Sequence, residues 1–191
     1  TNTNTPLFAI KPTPHADLGL IATAPIPRGT RILTEPALLS LRPSATSPHA
    51  IHAAFLALPP TAQATILALD AVEDADSWPL RARIAELAKR REEQDSAALE
   101  REFVAALERF KVVNAGADGE PYVGVFPTAS RLNHSCLPNT YITFNRGLGQ
   151  LAVHATCDIL PGEELTCTYL GAVSFYMSRE WRQDGLRRWG F

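Results

Sequence analysis

Long apolar runs are missing from this sequence. None approaches the roughly 20 residues that a membrane-spanning helix needs, so no membrane partner is expected. An excess of positive charge is missing too. The 18 Lys and Arg against 20 Asp and Glu give a net charge of -2, which argues against direct nucleic-acid binding. The opening TNTNTPLFAI has neither a basic cluster nor a hydrophobic core, so it does not read as a secretory signal. Cysteine is scarce. Cys136, Cys157 and Cys167 are odd in number and widely spaced, which is no disulfide framework and suits a reducing compartment. An intracellular protein is expected, in nucleus or cytoplasm, with its oligomeric state left open.

What is present is a foldable chain. Its 191 residues suffice for one core, or one core with an inserted subdomain, and 46% of them are hydrophobic. The 15 Pro and 11 Gly promise many turns. From Leu7 to about Leu41 short strands alternate with turns, among them Pro27-Arg28-Gly29 before the strand Arg31 to Thr34. From about Pro48 to Phe110 the texture is helical. Phe55, Ile66, Leu67 and Leu69 flank a Pro59-Pro60 break that should separate two helices. Leu80, Ile84 and Leu87 fall at helical spacing, as do Leu99, Phe103, Leu107 and Phe110. The charged run Lys89 to Asp95 reads as a solvated face.

After Val113 strands return. YITFN and QLAVHA flank Arg146-Gly147-Leu148-Gly149 and read as a hairpin. Ile159, Gly162 and Leu165 repeat the spacing of Ile26, Gly29 and Ile32, so similar turn-to-strand units are expected at each end. The fold class is therefore mixed α+β, mainly β, and the chain reads as a single domain over 1–191. An N-terminal β segment (7–41) and a core (113–170) enclose a helical insert (42–112), and a helical segment (171–191) closes the chain.

RLNHSCLPNT, Arg131 to Thr140, concentrates polar and reactive side chains, and its residues admit three readings. His134 and Cys136 share a face of an extended chain, as a nucleophile and its base would, but no Asp or Asn is obviously placed to orient the His. The same pair offers two metal ligands, yet no CxxC or HxxxH spacing supports a site closed within the chain, so no metal is expected. Cys157 and Cys167 read as buried small hydrophobes. In the third reading Pro138 stiffens a turn while Asn133 and Asn139 bond the backbone of neighbouring loops.

NHSCLPN followed by GEELTCTY, with LGLIATAPIPRGTRIL near the start and VFPTASRLNHSC before the core, resembles the SET domain. That family comprises protein lysine methyltransferases using S-adenosylmethionine. The resemblance covers roughly 7–41 and 112–191 and is strongest to SMYD-related and fungal SET proteins. It implies small curved β-sheets, a knot-like crossing of NHSC with ELTCTY, and a helical insert. It also implies a protein substrate presenting a lysine, and S-adenosylmethionine as cofactor.

By the same resemblance, Leu18, Gly19 and Leu20 lie along the cofactor, and Asn133 and His134 grip it through side-chain amide and backbone contacts. Asn114 touches it, the backbone near Arg131 and Leu132 faces the methyl, and Phe191 packs on the adenine. Tyr169 is the catalytic tyrosine at the cofactor's methyl. Tyr141 and Phe144 read as core rather than as walls of a lysine channel.

Three positions depart from the family pattern. Asp17 stands where a Gly is common. Cys167 stands two before the catalytic Tyr, where Phe or Tyr is common, which implies room for an amine already methylated. The sequence ends at Phe191, before the Cys-rich segment that supplies zinc ligands in relatives, so Cys136 is expected to be an orphan ligand. A competing function, an inactive SET-like protein-interaction module, would go with degenerate motifs. Asn133, His134 and Tyr169 are all present.

Overall fold

The computed structural model describes residues 6–14, 18–41, 53–69, 123–145, 147–170 and 172–187. The chain divides into two compact units, Thr1–Ala37 with Thr128–Arg182 and Leu38–Pro127 with Gln183–Phe191. Among the described residues strands dominate, as the mainly β reading requires.

The first unit holds two sheets. One is ordered β1 (Phe8–Lys11), β2 (Gly19–Ala22), β9 (Glu164–Cys167), β6 (Asn133–His134). The other is ordered β3 (Arg31–Pro36), β8 (Gln150–Ala155), β7 (Thr140–Asn145). Period-2 patterning explains which faces are inside. β8 buries Leu151, Val153 and Ala155, and β9 buries Leu165 and Cys167. Each large aliphatic side chain removed from water in this way contributes about 1.5–3 kcal/mol. The β7–β8 hairpin turns where Gly-rich sequence predicts it, with Gly149 at φ 62° and the Leu148 amide donating to Asn145 Oδ1 at 3.1 Å.

The two similar turn-to-strand segments prove to be partners. Thr30 N donates to Pro27 O and Glu163 N to Leu160 O, each at 3.1 Å, closing turns whose third residues are Gly29 (φ 84°) and Gly162 (φ 89°). Glycine is required there because that φ is costly for any residue with a Cβ. Ile26 and Ile159 exchange a reciprocal pair of 2.9 Å backbone bonds. Gly29 N donates to Ala155 O (2.9 Å), and Gly162 N to Ala22 O (2.8 Å). The repeated spacing thus marks two copies of one device, joined back to back.

β6 is short but decisive. It runs parallel to β9, pairing Asn133 with Thr166 and His134 with Cys167, which sets the NHSC and ELTCTY segments side by side.

In the second unit, β4 (Leu39–Leu41) pairs antiparallel with β5 (Val123–Val125). Residues 53–56 are helical, and α1 (Pro60–Leu67) follows the Pro59-Pro60 break with Pro at its first position, where no amide bond is lost. Phe55, Ile66 and Leu69 are buried. A 3₁₀ turn (Ala172–Tyr176) precedes α2 (Arg179–Leu186), within which the division between the units falls. The helical spacings read at 80–87 and 99–110, the charged run 89–95 and Asp17 lie outside the described residues.

Two core expectations are corrected. Cys157 is exposed, because it sits in the turn after β8 rather than on its inward face. Tyr141 is 51% exposed, because alternation along β7 places it with Thr143 and Asn145 on the outward face.

Candidate functional site

The polar stretch is organised first by Asn139. Its Nδ2 donates to Glu164 O at 2.8 Å, while its Oδ1 accepts from Thr166 N at 2.8 Å and Thr166 Oγ1 at 3.3 Å. One side chain so serves a donor and an acceptor of β9 as a neighbouring strand would. Buried Thr140 adds a 2.8 Å bond from Oγ1 to Thr166 O. Ser135 Oγ accepts from Leu137 N at 3.1 Å, which closes a local turn. The third reading of RLNHSCLPNT, a rigid turn bonded to neighbouring backbone, describes what is found.

Held by that frame, Leu132, Asn133, His134 and Tyr169 meet. Tyr169 donates its hydroxyl to Leu132 O at 2.9 Å. The buried Cys167 thiol points at the same carbonyl, 3.8 Å away. His134 Nδ1 accepts the Tyr169 amide at 3.1 Å, and the two rings lie 5.4 Å apart at 53°. Because Nδ1 accepts, the proton of the neutral ring sits on Nε2, which lies 3.5 Å from Cys136 Sγ.

Asn133 reaches the other way. Its Nδ2 donates to Leu18 O at 3.1 Å and to Glu164 Oε1 at 2.6 Å. Gly19 follows at the start of β2, where a Cβ would fall 2.5 Å from Glu164 Oε1, 2.6 Å from Thr13 Cγ2 and 3.0 Å from Asn133 Nδ2. A side chain at that position would push these groups from the places they hold.

The expected site residues are therefore partly gathered. Leu18, Gly19, Asn133, His134 and Tyr169 come together, and Arg131 ends the 3₁₀ turn (Ala129–Arg131) that leads into Leu132. Leu20 is buried, so its side chain serves the core and only its backbone faces the site strand. Asn114 and Phe191 lie outside the described residues. Among the described residues no group of three or more His, Cys, Asp or Glu is placed to hold a metal ion.

Two carboxylates were missed. Glu164 is one. Glu35 is the other: its Oε1 accepts from Thr128 N and its Oε2 from Ala129 N, each at 2.8 Å, which anchors the start of the turn carrying Leu132. A Glu in a strand reads as a solvent-facing residue, and only the pairing of distant segments reveals it. Glu35→Ala strips two part-buried amides of their acceptor, so chemical unfolding should show a loss of about 2–4 kcal/mol. Glu35→Gln, with one acceptor left, should lose about half of that.

Burial holds the His134 imidazole below its ordinary value of 6.5. With a folded pKa below the unfolded one, its contribution is complete above about pH 6.5 and is lost as pH falls through the folded pKa. Protonation would also set an N–H against the Tyr169 amide. Melting temperature followed from about pH 8 to 5 should fall on the acid side, and the fall should shrink in His134→Asn. An unchanged acid slope in that variant would contradict the assignment.

The SET domain family matches residues 17–170. Over 182 residues the chain is 29% identical to the histone-lysine N-methyltransferase set5 of Schizosaccharomyces pombe, covering 92% of this chain and 46% of that protein. Over 78 residues it is 44% identical to human histone-lysine N-methyltransferase SMYD3, covering 41% of this chain and 17% of that protein. The chain thus spans less than half the length of these curated relatives. A solved SET domain of LSMT, bound to lysine and AdoHcy, is 17% identical with a TM-score of 0.48, covering 91% of this chain and 52% of that one.

Proposed function

The chain belongs to the SET-domain family, and from that membership we propose that it transfers a methyl group from S-adenosylmethionine to a lysine of a protein substrate. The observation that carries this reading is the Tyr169 hydroxyl, 2.9 Å from Leu132 O and one residue from the Asn133–Leu18 contact. The residues suit such a cofactor. With both Asn133 Nδ2 protons given to Leu18 O and Glu164 Oε1, the acceptor Asn133 Oδ1 is left for a cofactor that carries a hydrogen-bond donor. S-adenosylmethionine, when bound, supplies an electrophilic methyl on a sulfonium.

The protein's task is alignment, because displacement at a methyl requires nitrogen, carbon and sulfur in line. A lysine ammonium, with an ordinary pKa near 10.4, has no lone pair and must first lose its proton. The positive charge of a bound sulfonium would disfavour the ammonium form and so favour that loss. Tyr169 gives its own proton to Leu132 O, so its oxygen can accept an N–H of the neutral amine. An amine held by its N–H keeps its lone pair turned away from Tyr169, available for the methyl. Tyr169 is therefore proposed to orient the nucleophile rather than to ionise it.

Histones are the first substrates to try, given the names of the relatives. A nuclear or cytoplasmic location goes with this reading. Calorimetric titration of S-adenosylmethionine tests the cofactor half. Saturable binding that Asn133→Ala abolishes supports it, and no heat at about millimolar cofactor contradicts it.

A further inference from the structure

Glu164 opens β9 and turns its side chain toward the Leu18–Gly19 corner. Its Oε1 lies 2.6 Å from Asn133 Nδ2, closer than the 3.1 Å from that nitrogen to Leu18 O. Both amide protons of Asn133 are thereby given to acceptors from two different segments. A flipped amide would set an oxygen against a carboxylate oxygen at that short distance, a repulsive contact. The side chain has one workable orientation, with Oδ1 turned away from both acceptors.

We infer that Glu164 is the positioning residue of the cofactor site: it locks the Asn133 amide so that only an acceptor faces the ligand. The matching ligand group is then a hydrogen-bond donor, an N–H or O–H. This inference rests on the cofactor reading above for its ligand half, and on the Asn133 contacts alone for its positioning half. Gly19 belongs to the same device, because a Cβ there would displace Glu164 Oε1 and crowd Asn133 Nδ2.

Charge and geometry are separable by substitution. Glu164→Gln keeps an oxygen that can accept from Asn133, whereas Glu164→Ala keeps none. Asn133→Asp replaces the donor by a second carboxylate facing Glu164 and Leu18 O. In Asn133→Asp with Glu164→Gln, donor and acceptor are exchanged, so one of the two contacts returns.

The test is calorimetric titration of S-adenosylhomocysteine into the full chain and these variants, with melting temperatures alongside. Glu164→Gln should stay within about threefold of the wild-type Kd, and Glu164→Ala should weaken it by about tenfold to thirtyfold. Asn133→Asp should weaken it by about a hundredfold or more, and the double variant should recover about tenfold of that. A merely structural Glu164 would lower melting temperature without this exchange rescue.

The Asn133 side-chain amide, followed by NMR in the ligand-free protein, judges the positioning half by itself. Its two protons should exchange slowly in wild type and Glu164→Gln and rapidly in Glu164→Ala. Unchanged exchange in Glu164→Ala, or wild-type affinity in that variant, overturns the inference. Normal amide protection with no binding in wild type instead sinks the cofactor reading, and the ligand half of the inference with it.

Discussion

Tyr169→Phe should slow methyl transfer by about a hundredfold or more while leaving cofactor affinity within about threefold. The hydroxyl donates to Leu132 O, and the ring lies 5.4 Å from His134. Phenylalanine keeps the ring and the backbone amide that His134 Nδ1 accepts, so the local fold should survive. What disappears is the oxygen proposed to orient the amine. Two losses then fall on one step: the nucleophile is no longer aligned, and Leu132 O loses a donor. Stopped-flow or discontinuous assays of kcat beside calorimetric Kd separate these terms. A fall in affinity matching the fall in kcat would show that Tyr169 holds the cofactor and does not orient the amine.

Asn139→Ala should be the most destabilising single polar substitution among the described residues. Its amide satisfies Glu164 O and Thr166 N, two backbone groups of β9 that no water-exposed replacement can serve in place. Leaving each part-buried group without a partner costs about 1–3 kcal/mol, so about 2–6 kcal/mol should be lost in denaturant unfolding. Much of a typical domain's net stability is of that size. The damage should reach the site, because β9 carries Glu164 and leads into Tyr169, and β6 pairs with it. Asn139→Asp keeps the acceptor for Thr166 N but sets an oxygen against Glu164 O, so it should recover little. A loss below about 1 kcal/mol in Asn139→Ala would show that solvent already serves these groups.

Local signals were legible where the physics is local. Proline before glycine located both turns, alternation located the β7–β8 hairpin, and the Pro59-Pro60 break separated two helical stretches. The equal spacing of Ile26-Gly29-Ile32 and Ile159-Gly162-Leu165 suggested like units, although only the structure shows that they bond to each other. The site was legible through its family resemblance rather than through spacing. Nothing local joins Asn133 to Leu18, and nothing local joins Tyr169 to Leu132.

Glu35 and Glu164 were missed for that reason. Each lies in a strand at a position that alternation assigns to solvent, and each finds its donors in a distant segment. Tyr141 and Cys157 were placed inside because aromatic and thiol side chains usually are. Strand phase overruled composition for Tyr141, and a turn did so for Cys157.

Methyl transfer to lysine is the activity proposed for this chain. The most direct measurement incubates the chain with isotopically labelled S-adenosylmethionine and histones, and maps the label by tandem mass spectrometry. Wild type should place label on lysine Nζ, with a loss of about a hundredfold or more in Tyr169→Phe. Saturable cofactor binding with no label on any lysine, across histones and a lysine-peptide array, would contradict the proposal.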